Sequence, residues 1–317
     1  MFEEVQSAYD RVKGIVNKTP VLTSTTLNKI LNANIYVKAE SFQKIGAFKF
    51  RGAYNAISKL TEEQKEKGVV THSSGNHAQA LSLAAKMLNV RAVIVMPENA
   101  PKIKIEATKS YGAEIVFCGS KPQDREEMVK PLIEEKGYTF IHPSNDLDVI
   151  YGQGTAAYEL IHEIKHLDYI FAPLGGGGLL SGTALATKGL LPDSKVIGVE
   201  PKNADDAYRS IRDNTIYPSE NPNTIADGLR TSLGDNTFRV IKEKVDKIIT
   251  VSEDEIVDAM EFYWSRMKIV VEPSGAVALA GVLSKQIEIE GKIVGIIISG
   301  GNVDLTSFFE TLRMKIK

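Results

Sequence analysis

The chain has 317 residues, 43% of them apolar, enough for one large domain or two and for a sizeable buried core. Its formal net charge of -2 comes without a long basic run, which argues against nucleic acid or an anionic membrane surface as the main partner. The longest apolar runs, such as Val294 to Ile298, are too short to span a bilayer, the acidic start Met1-Phe2-Glu3-Glu4-Val5 has no signal-peptide core, and a lone Cys118 excludes a disulfide framework. These features describe a soluble, cytoplasmic α/β protein of enzyme size.

In chain order, Val5, Ala8, Val12 and Val16 form a helical stripe that Pro20 ends. Thr23 to Thr26 offer N-caps for a helix over Leu27 to Leu31, and Ile35 to Lys38 reads as a short strand. Gln43-Lys44-Ile45-Gly46-Ala47-Phe48-Lys49-Phe50-Arg51-Gly52-Ala53 follows as a small, apolar turn before a helix over Ala53 to Leu60. A lysine between two phenylalanines on such a turn either snorkels to the surface or is desolvated into a usable amine nucleophile or base.

From Val69 strands and helices alternate: strands over Val69 to His72, Arg91 to Met96, Glu114 to Phe117 and Tyr138 to Ile141, and helices over Ala78 to Leu88, Lys102 to Tyr111 and Glu126 to Glu135. That is a βαβ series and predicts a small parallel sheet. A second series places strands at Tyr169 to Ala172, Lys195 to Val199, Lys247 to Val251 and Lys292 to Ile298, with helices over Gly154 to His166, Leu179 to Lys188, Glu253 to Met267 and Ser274 to Ser284. Asp213 to Asn223 reads as a surface loop. The few strands before residue 50 cannot form a domain alone, so they join the second sheet. Residues 1–67 and 147–317 then form a large domain, with 68–146 as a small domain inserted in it.

Three loops fall where parallel sheets bind ligands, at the carboxyl ends of strands. Gly175-Gly176-Gly177-Gly178 joins a strand to a helix, as a phosphate cradle would, or as a tight crossing that needs small residues. It lacks the dinucleotide fingerprint, since Leu180 stands where a glycine belongs, and the nucleotide P-loop, since Thr183 stands where a lysine belongs. Ser73-Ser74-Gly75-Asn76-His77 suits a substrate carboxylate, or simply caps a helix. Ser299-Gly300-Gly301-Asn302 ends a wholly apolar strand. Two further patterns have chemical readings. His162-Glu163-Ile164-Lys165-His166 matches the zinc-protease helix motif, but with no third ligand in view it reads as a solvated helix end. Glu200, Asp205 and Asp206 cluster after a strand, as a hard-cation site or an acidic surface turn.

Together the lysine stretch, the S-S-G-N-H loop, the tetraglycine loop and S-G-G-N resemble the fold type II pyridoxal-phosphate enzymes, most closely the serine racemase and serine/threonine dehydratase branch. The likeness runs through essentially the whole chain. It implies a tryptophan synthase β-like α/β fold of two open, twisted, mostly parallel sheets with helices on both faces. It also implies Lys49 as the lysine that binds the cofactor covalently and takes the Cα proton, Phe48 beside the ring, Asn76 on the ring hydroxyl and Ser299 at the pyridine nitrogen. Gly175 to Gly178 would hold the phosphate, Gly228 would lie on the cofactor side, and Ser73, Ser74, Gly75, Asn76 and His77 would grip the substrate carboxylate. Glu200, the Ala204 carbonyl and Asp206 match the ligands of a divalent cation such as Mg, Ca or Mn. Racemases of this branch also bind ATP at a homodimer interface; Lys44 and Gln79 fall at matching positions, but Ile45 replaces the usual threonine. Ser74, where threonine dehydratases usually carry alanine, points to a second acid/base on the face opposite Lys49. The expected activity is serine racemisation with L-serine and L-threonine dehydration. 3-Hydroxyaspartate dehydratase, threonine ammonia-lyase without racemase activity, and a non-catalytic binding protein are the alternatives. With the chain ending at Lys317, no regulatory domain or isoleucine feedback is expected.

Overall fold

The structure is a computed structural model that describes residues 1–100, 102–119 and 122–306. The last residues, on which the expectation of a missing regulatory domain rests, lie outside the described ones.

The first helix, α1 (Phe2–Val12), buries Val5, Ala8 and Val12, the three-to-four spacing read from the sequence; Val16 lies beyond its end. β1 (Val21–Leu22) leads to α2 (Thr25–Leu31), capped by Ser24, whose hydroxyl accepts the Leu27 N–H. β2 (Asn34–Ala39) is followed by α3 (Lys49–Ser58) and α4 (Glu62–Lys67). Lys49 therefore opens a helix rather than sitting on a turn.

Next come β3 (Val69–His72), α5 (Asn76–Met87), β4 (Ala92–Pro97), α6 (Lys102–Ser110), β5 (Glu114–Cys118), α7 (Pro122–Glu134) and β6 (Thr139–Phe140). The four strands form an all-parallel sheet in the order β5-β4-β3-β6.

The remaining elements are α8 (Leu147–Ile164), β7 (Tyr169–Pro173), α9 (Gly178–Leu190), β8 (Lys195–Pro201), α10 (Asp206–Asp213), α11 (Asp235–Lys244), β9 (Lys247–Val251), α12 (Glu253–Phe262), α13 (Pro273–Leu283) and β10 (Ile293–Ile298). The second sheet runs β1-β2-β10-β7-β8-β9, parallel except for the β1–β2 pair. β10 lies between β2 and β7 and is buried from Val294 to Ile298, which is why its sequence is continuously apolar rather than alternating. Each fully buried isoleucine there contributes about 1.5–3 kcal/mol by leaving water.

α8 is the central helix of the packing. Its Gly152 lies against Gly52 of α3, where an added Cβ would stand 2.6 Å from the Gly52 Cα. Two residues on, Gly154 meets α9, where an added Cβ would come within 2.7 Å of the Gly182 carbonyl oxygen. The sequence places the start of this helix at Gly154, but it begins seven residues earlier at Leu147, capped by Asp146, which accepts the N–H groups of Asp148 and Val149. Among the described residues no helix is long and apolar enough to cross a membrane.

Candidate active site

Lys49 is half-buried at the start of α3, and its Nζ donates to the Pro143 carbonyl at 2.8 Å. Burial lowers its pKa to about 8, against the opposing pull of the Glu272 charge. The amine also lies 5.1 Å from the centre of the Phe48 ring.

The loop carrying Pro143 is pinned from both ends. The His142 Nδ1 accepts the N–H groups of Ser144 and Asn145, and the Asn145 Oδ1 accepts those of Asn236 and Thr237 at the start of α11. With one ring nitrogen so occupied and the ring desolvated, His142 stays neutral, with a pKa lowered to about 4 by burial and by the nearby His72 and Lys49. The same loop touches the glycine turn: a Cβ on Gly176 would stand 2.5 Å from the Ser144 Oγ, and one on Gly178 3.0 Å from the Ser144 carbonyl oxygen. Gly177 has φ +83°. Both readings of the tetraglycine loop therefore hold physically. The glycines permit a close crossing, and they leave the N–H groups at the start of α9, which have no partner inside the helix, open to an anion.

The S-G-G-N loop is bound to the lysine loop along its length. The Phe48 N–H donates to the Ser299 carbonyl at 2.9 Å, Ala47 bridges to Gly300, and the Gly301 N–H donates to the Gly46 carbonyl at 2.9 Å. Asn302 closes the set, its Nδ2 donating to the Ile45 carbonyl at 2.7 Å and to the Asn76 Oδ1 at 2.8 Å. Ser299 is buried.

Neither Ser73 nor Ser74 caps α5. The N-cap is Gly75, with no side-chain cap bond; the Ser73 Oγ only accepts the Gly75 N–H at 3.3 Å. Ser74 is half-buried, and a Cβ on Gly75 would meet nothing within 4 Å, so this loop borders open space. His77 is buried, its Nε2 facing the Ile141 carbonyl at 3.3 Å and its Nδ1 without a partner; burial holds it neutral, far below its ordinary pKa.

Two residues here were not singled out in the sequence. Glu272, buried at the start of α13, accepts from the Asn76 Nδ2 at 2.8 Å. Burial, reinforced by the Asp227 charge and opposed by the Asn76 bond, raises its pKa to about 7. Its signal was an isolated carboxylate between Val271 and the apolar run from Gly275 to Leu283. The other is Arg125 on α7, whose buried Nε has no partner among the described residues and whose charge helps depress the pKa of His72, the residue before Ser73.

Gly228 lies on a short 3-10 turn, its N–H donating to the Ser274 Oγ at 3.0 Å. Ile45 has φ +58°, uncommon for a β-branched residue, and packs into the apolar cluster that holds Val12, Ala47 and Phe50; Lys44 is half-buried and Gln79 is buried.

Away from these loops, Glu200, Ala204 and Asp206 are buried, with the two acids near enough for the Asp206 charge to act on Glu200. Glu200 accepts the N–H groups of Ala207 and Tyr208 at 3.0 and 2.8 Å. Both Asp206 oxygens are buried without a hydrogen bond, the Ser219 hydroxyl lying close but out of bonding geometry. Burial raises the pKa of Asp206 to about 6 and, with the Asp206 charge, pushes Glu200 well above its ordinary value. His162 and His166 do not share a helix face. α8 ends at Ile164, Lys165 turns away with φ 70°, and His166 is largely exposed beside Asp168. Among the described residues no group of three His, Cys, Asp or Glu side chains gathers to hold a metal.

A desolvated lysine amine at the start of α3, a helix-start anion cradle and buried polar side chains suit a phosphorylated aldehyde cofactor. Pyridoxal phosphate fits this set. The pyridoxal-phosphate-dependent enzyme family model matches residues 12–300. The chain is 53% identical to the L-threo-3-hydroxyaspartate ammonia-lyase of Saccharomyces cerevisiae over 97% of its own length and 94% of that protein. It is 50% identical to the serine racemase of Schizosaccharomyces pombe over 97% and 95%. The crystal structure of Dictyostelium discoideum serine racemase superposes with a TM-score of 0.91 at 48% identity, covering 96% of this chain and 99% of that one. The chain belongs to the fold type II pyridoxal-phosphate enzymes of the serine racemase and serine/threonine dehydratase family.

Proposed function

We propose that the protein is an ammonia-lyase of β-hydroxy amino acids with 3-hydroxyaspartate as its preferred substrate, and that serine racemisation and L-serine and L-threonine dehydration accompany that activity. The observation that carries the choice is Arg125, whose buried guanidinium Nε has no partner among the described residues and whose charge is felt at the residue that precedes the S-S-G-N-H loop. Hydroxyaspartate has a second carboxylate for it, and serine does not. The yeast ammonia-lyase relative supports this reading, and the racemase relative supports the accompanying one.

Pyridoxal phosphate supplies an electron sink for negative charge at Cα. Gly175 to Gly178 would hold its phosphate, Asn76 its ring hydroxyl, and Phe48 and Gly228 would flank it. Ser73 through His77 would orient the substrate carboxylate. Lys49 would attach the cofactor and, as a free amine, would take the Cα proton of the substrate. Ser299 would offer the ring nitrogen a hydroxyl, which cannot keep it protonated as a carboxylate would. Net, the β-hydroxy amino acid gives a 2-oxo acid and ammonia, the water lost with the β-hydroxyl being regained. Ser74 returns a proton from the opposite face where inversion occurs. Residues 68–146 act as a small domain beside this site, and the assembly is a homodimer.

Initial rates on 3-hydroxyaspartate, L-serine, D-serine and L-threonine test the assignment. Arg125→Met should cut kcat/KM for hydroxyaspartate about 10²-fold, the loss of one buried charged partner, and leave L-serine within about threefold. Equal losses on both substrates, or no turnover of hydroxyaspartate, would overturn it.

Glu200, the Ala204 carbonyl and Asp206 hold a divalent cation in this reading, since two buried acids whose nearby cation, Arg209, is paired with Asp205 are otherwise costly. Millimolar Mg²⁺ should raise the melting temperature by mass action, and EDTA should reverse it. Asp206→Asn should melt no lower than the parent in EDTA, because a repulsion is gone, and should lose the rise with Mg²⁺. A rise that survives the substitution would place the ion elsewhere.

A further inference from the structure

Two residues beyond Lys49, on the same helical turn, the structure buries four charges that the chemistry above does not use. Arg51, Lys38 and Glu40 are fully buried, and Glu159 nearly so. The Arg51 guanidinium is forked twice. Its Nε and Nη2 donate to Glu40 at 2.7 and 2.9 Å, and its Nη1 and Nη2 donate to Glu159 at 2.8 and 2.8 Å. Nη1 also reaches the Thr155 Oγ1 at 3.2 Å. The Lys38 Nζ donates to Glu159 and to the Thr19 carbonyl, each at 2.7 Å, and the Thr19 hydroxyl donates to Glu40 at 2.5 Å. Two cations and two anions cancel. Burial alone would raise the Glu159 pKa, but Arg51 and Lys38 hold it below its ordinary value, so the carboxylate stays ionised.

Buried ion pairs are poor sources of stability, since apolar residues of the same volume often serve as well. What a doubly forked arginine supplies is direction, because its planar donors fix both partners in angle as well as distance. Here the partners lie on three elements: Glu40 directly after β2, Arg51 on α3 and Glu159 on α8. α8 is in turn held against α9 through Gly154 and Gly182, and α9 starts at the glycine cradle.

We propose that Arg51, through Glu40, Glu159 and Lys38, is a positioning residue for Lys49: the neutral quartet bolts the first turn of α3 to β2 and α8 and so fixes the Lys49 amine relative to the glycine cradle. The hydrogen bonds of the four side chains run to one another and to Thr19 and Thr155, so the quartet acts through where it holds the amine. A displacement of about 1 Å at a reacting group is enough to cost on the order of 10²-fold in rate.

The inference rests on Lys49 being the lysine that holds the cofactor, and the test separates the two. Cofactor-free protein is mixed with pyridoxal 5′-phosphate. The lysine nitrogen forms a C=N bond to the aldehyde carbon with loss of water, borohydride delivers hydride to that carbon, and the modified peptide is mapped. Binding of 4′-deoxypyridoxine 5′-phosphate, which has the phosphate and ring but no aldehyde, is measured in parallel. Arg51→Lys keeps the charge and loses the fork; it should slow capture at Lys49 by about 10- to 100-fold and change deoxypyridoxine phosphate affinity by less than about threefold. Thr155→Val removes the bond from Arg51 and the hydroxyl's own bond to the Gly152 carbonyl, but no charge, and should slow capture by a smaller factor in the same direction, which keeps the test open if Arg51→Lys does not fold. Capture at an unchanged rate in the folded variants, or equal losses in capture and in deoxypyridoxine phosphate binding, would overturn the positioning role. Capture at another lysine in the parent would instead overturn the assignment of Lys49.

Discussion

Lys49→Ala should reduce both elimination and racemisation by at least about 10⁴-fold, since in the proposed mechanism one substitution removes the covalent attachment and the Cα base together. The fold should survive, because the amine's hydrogen bond is a single one to the Pro143 carbonyl. The pH dependence of cofactor capture checks the cause. Burial lowers the Lys49 pKa to about 8, so at pH 7 roughly 300 times more of it is neutral than of an ordinary lysine at 10.5. Capture by cofactor-free protein should rise about tenfold per pH unit up to pH 8 and then level off. Glu272→Gln removes the negative charge that opposes this shift and should move the levelling point to lower pH. Capture that keeps climbing toward pH 10 would mean that the amine is solvated and that the desolvation account is wrong.

The site was readable from the sequence to the extent that its parts are local. Val69–His72 and Lys247–Val251 were read with the bounds they have, because their β-branched residues sit between turn signals. The three glycine- or serine-rich loops declare themselves by composition. What makes them one site is bonding between distant segments. Ala47 pairs with Gly300, Asn302 reaches the Ile45 carbonyl, and Gly176 packs on Ser144. The same long-range contacts hid the start of α3: Ile45 is held at a positive φ that no local rule foresees, and the helix begins four residues before the expected Ala53. Gly152 and Gly154 look like helix breakers in sequence, but they sit mid-helix because α3 and α9 press against them. α4 and α11 were missed although Thr61 with Gln64 forms a capping box, a local signal that was available. Glu272, Arg125 and the Arg51 quartet carried no such signal strong enough to read, since a lone charge in an apolar stretch declares itself only when its partner is seen.

Ser74→Ala should lower the formation of D-serine from L-serine by at least about 10²-fold while pyruvate formation from L-serine stays within about threefold. The structure leaves this hydroxyl available: α5 does not use it as a cap, and its neighbour Gly75 borders open space. Because the proposed mechanism also has Ser74 in the loop that grips the substrate carboxylate, KM can rise in the variant, so kcat is the quantity to compare. Chiral analysis and a pyruvate assay on the same samples supply it. D-serine makes the test sharper. Elimination from the D-isomer requires a proton to leave from the face opposite Lys49, so it should fall in parallel with racemisation and not with elimination from the L-isomer. If racemisation and L-serine elimination vanish together, the two-base scheme is wrong and Ser74 serves the carboxylate alone. If elimination from D-serine survives, a base other than Ser74 reaches that face.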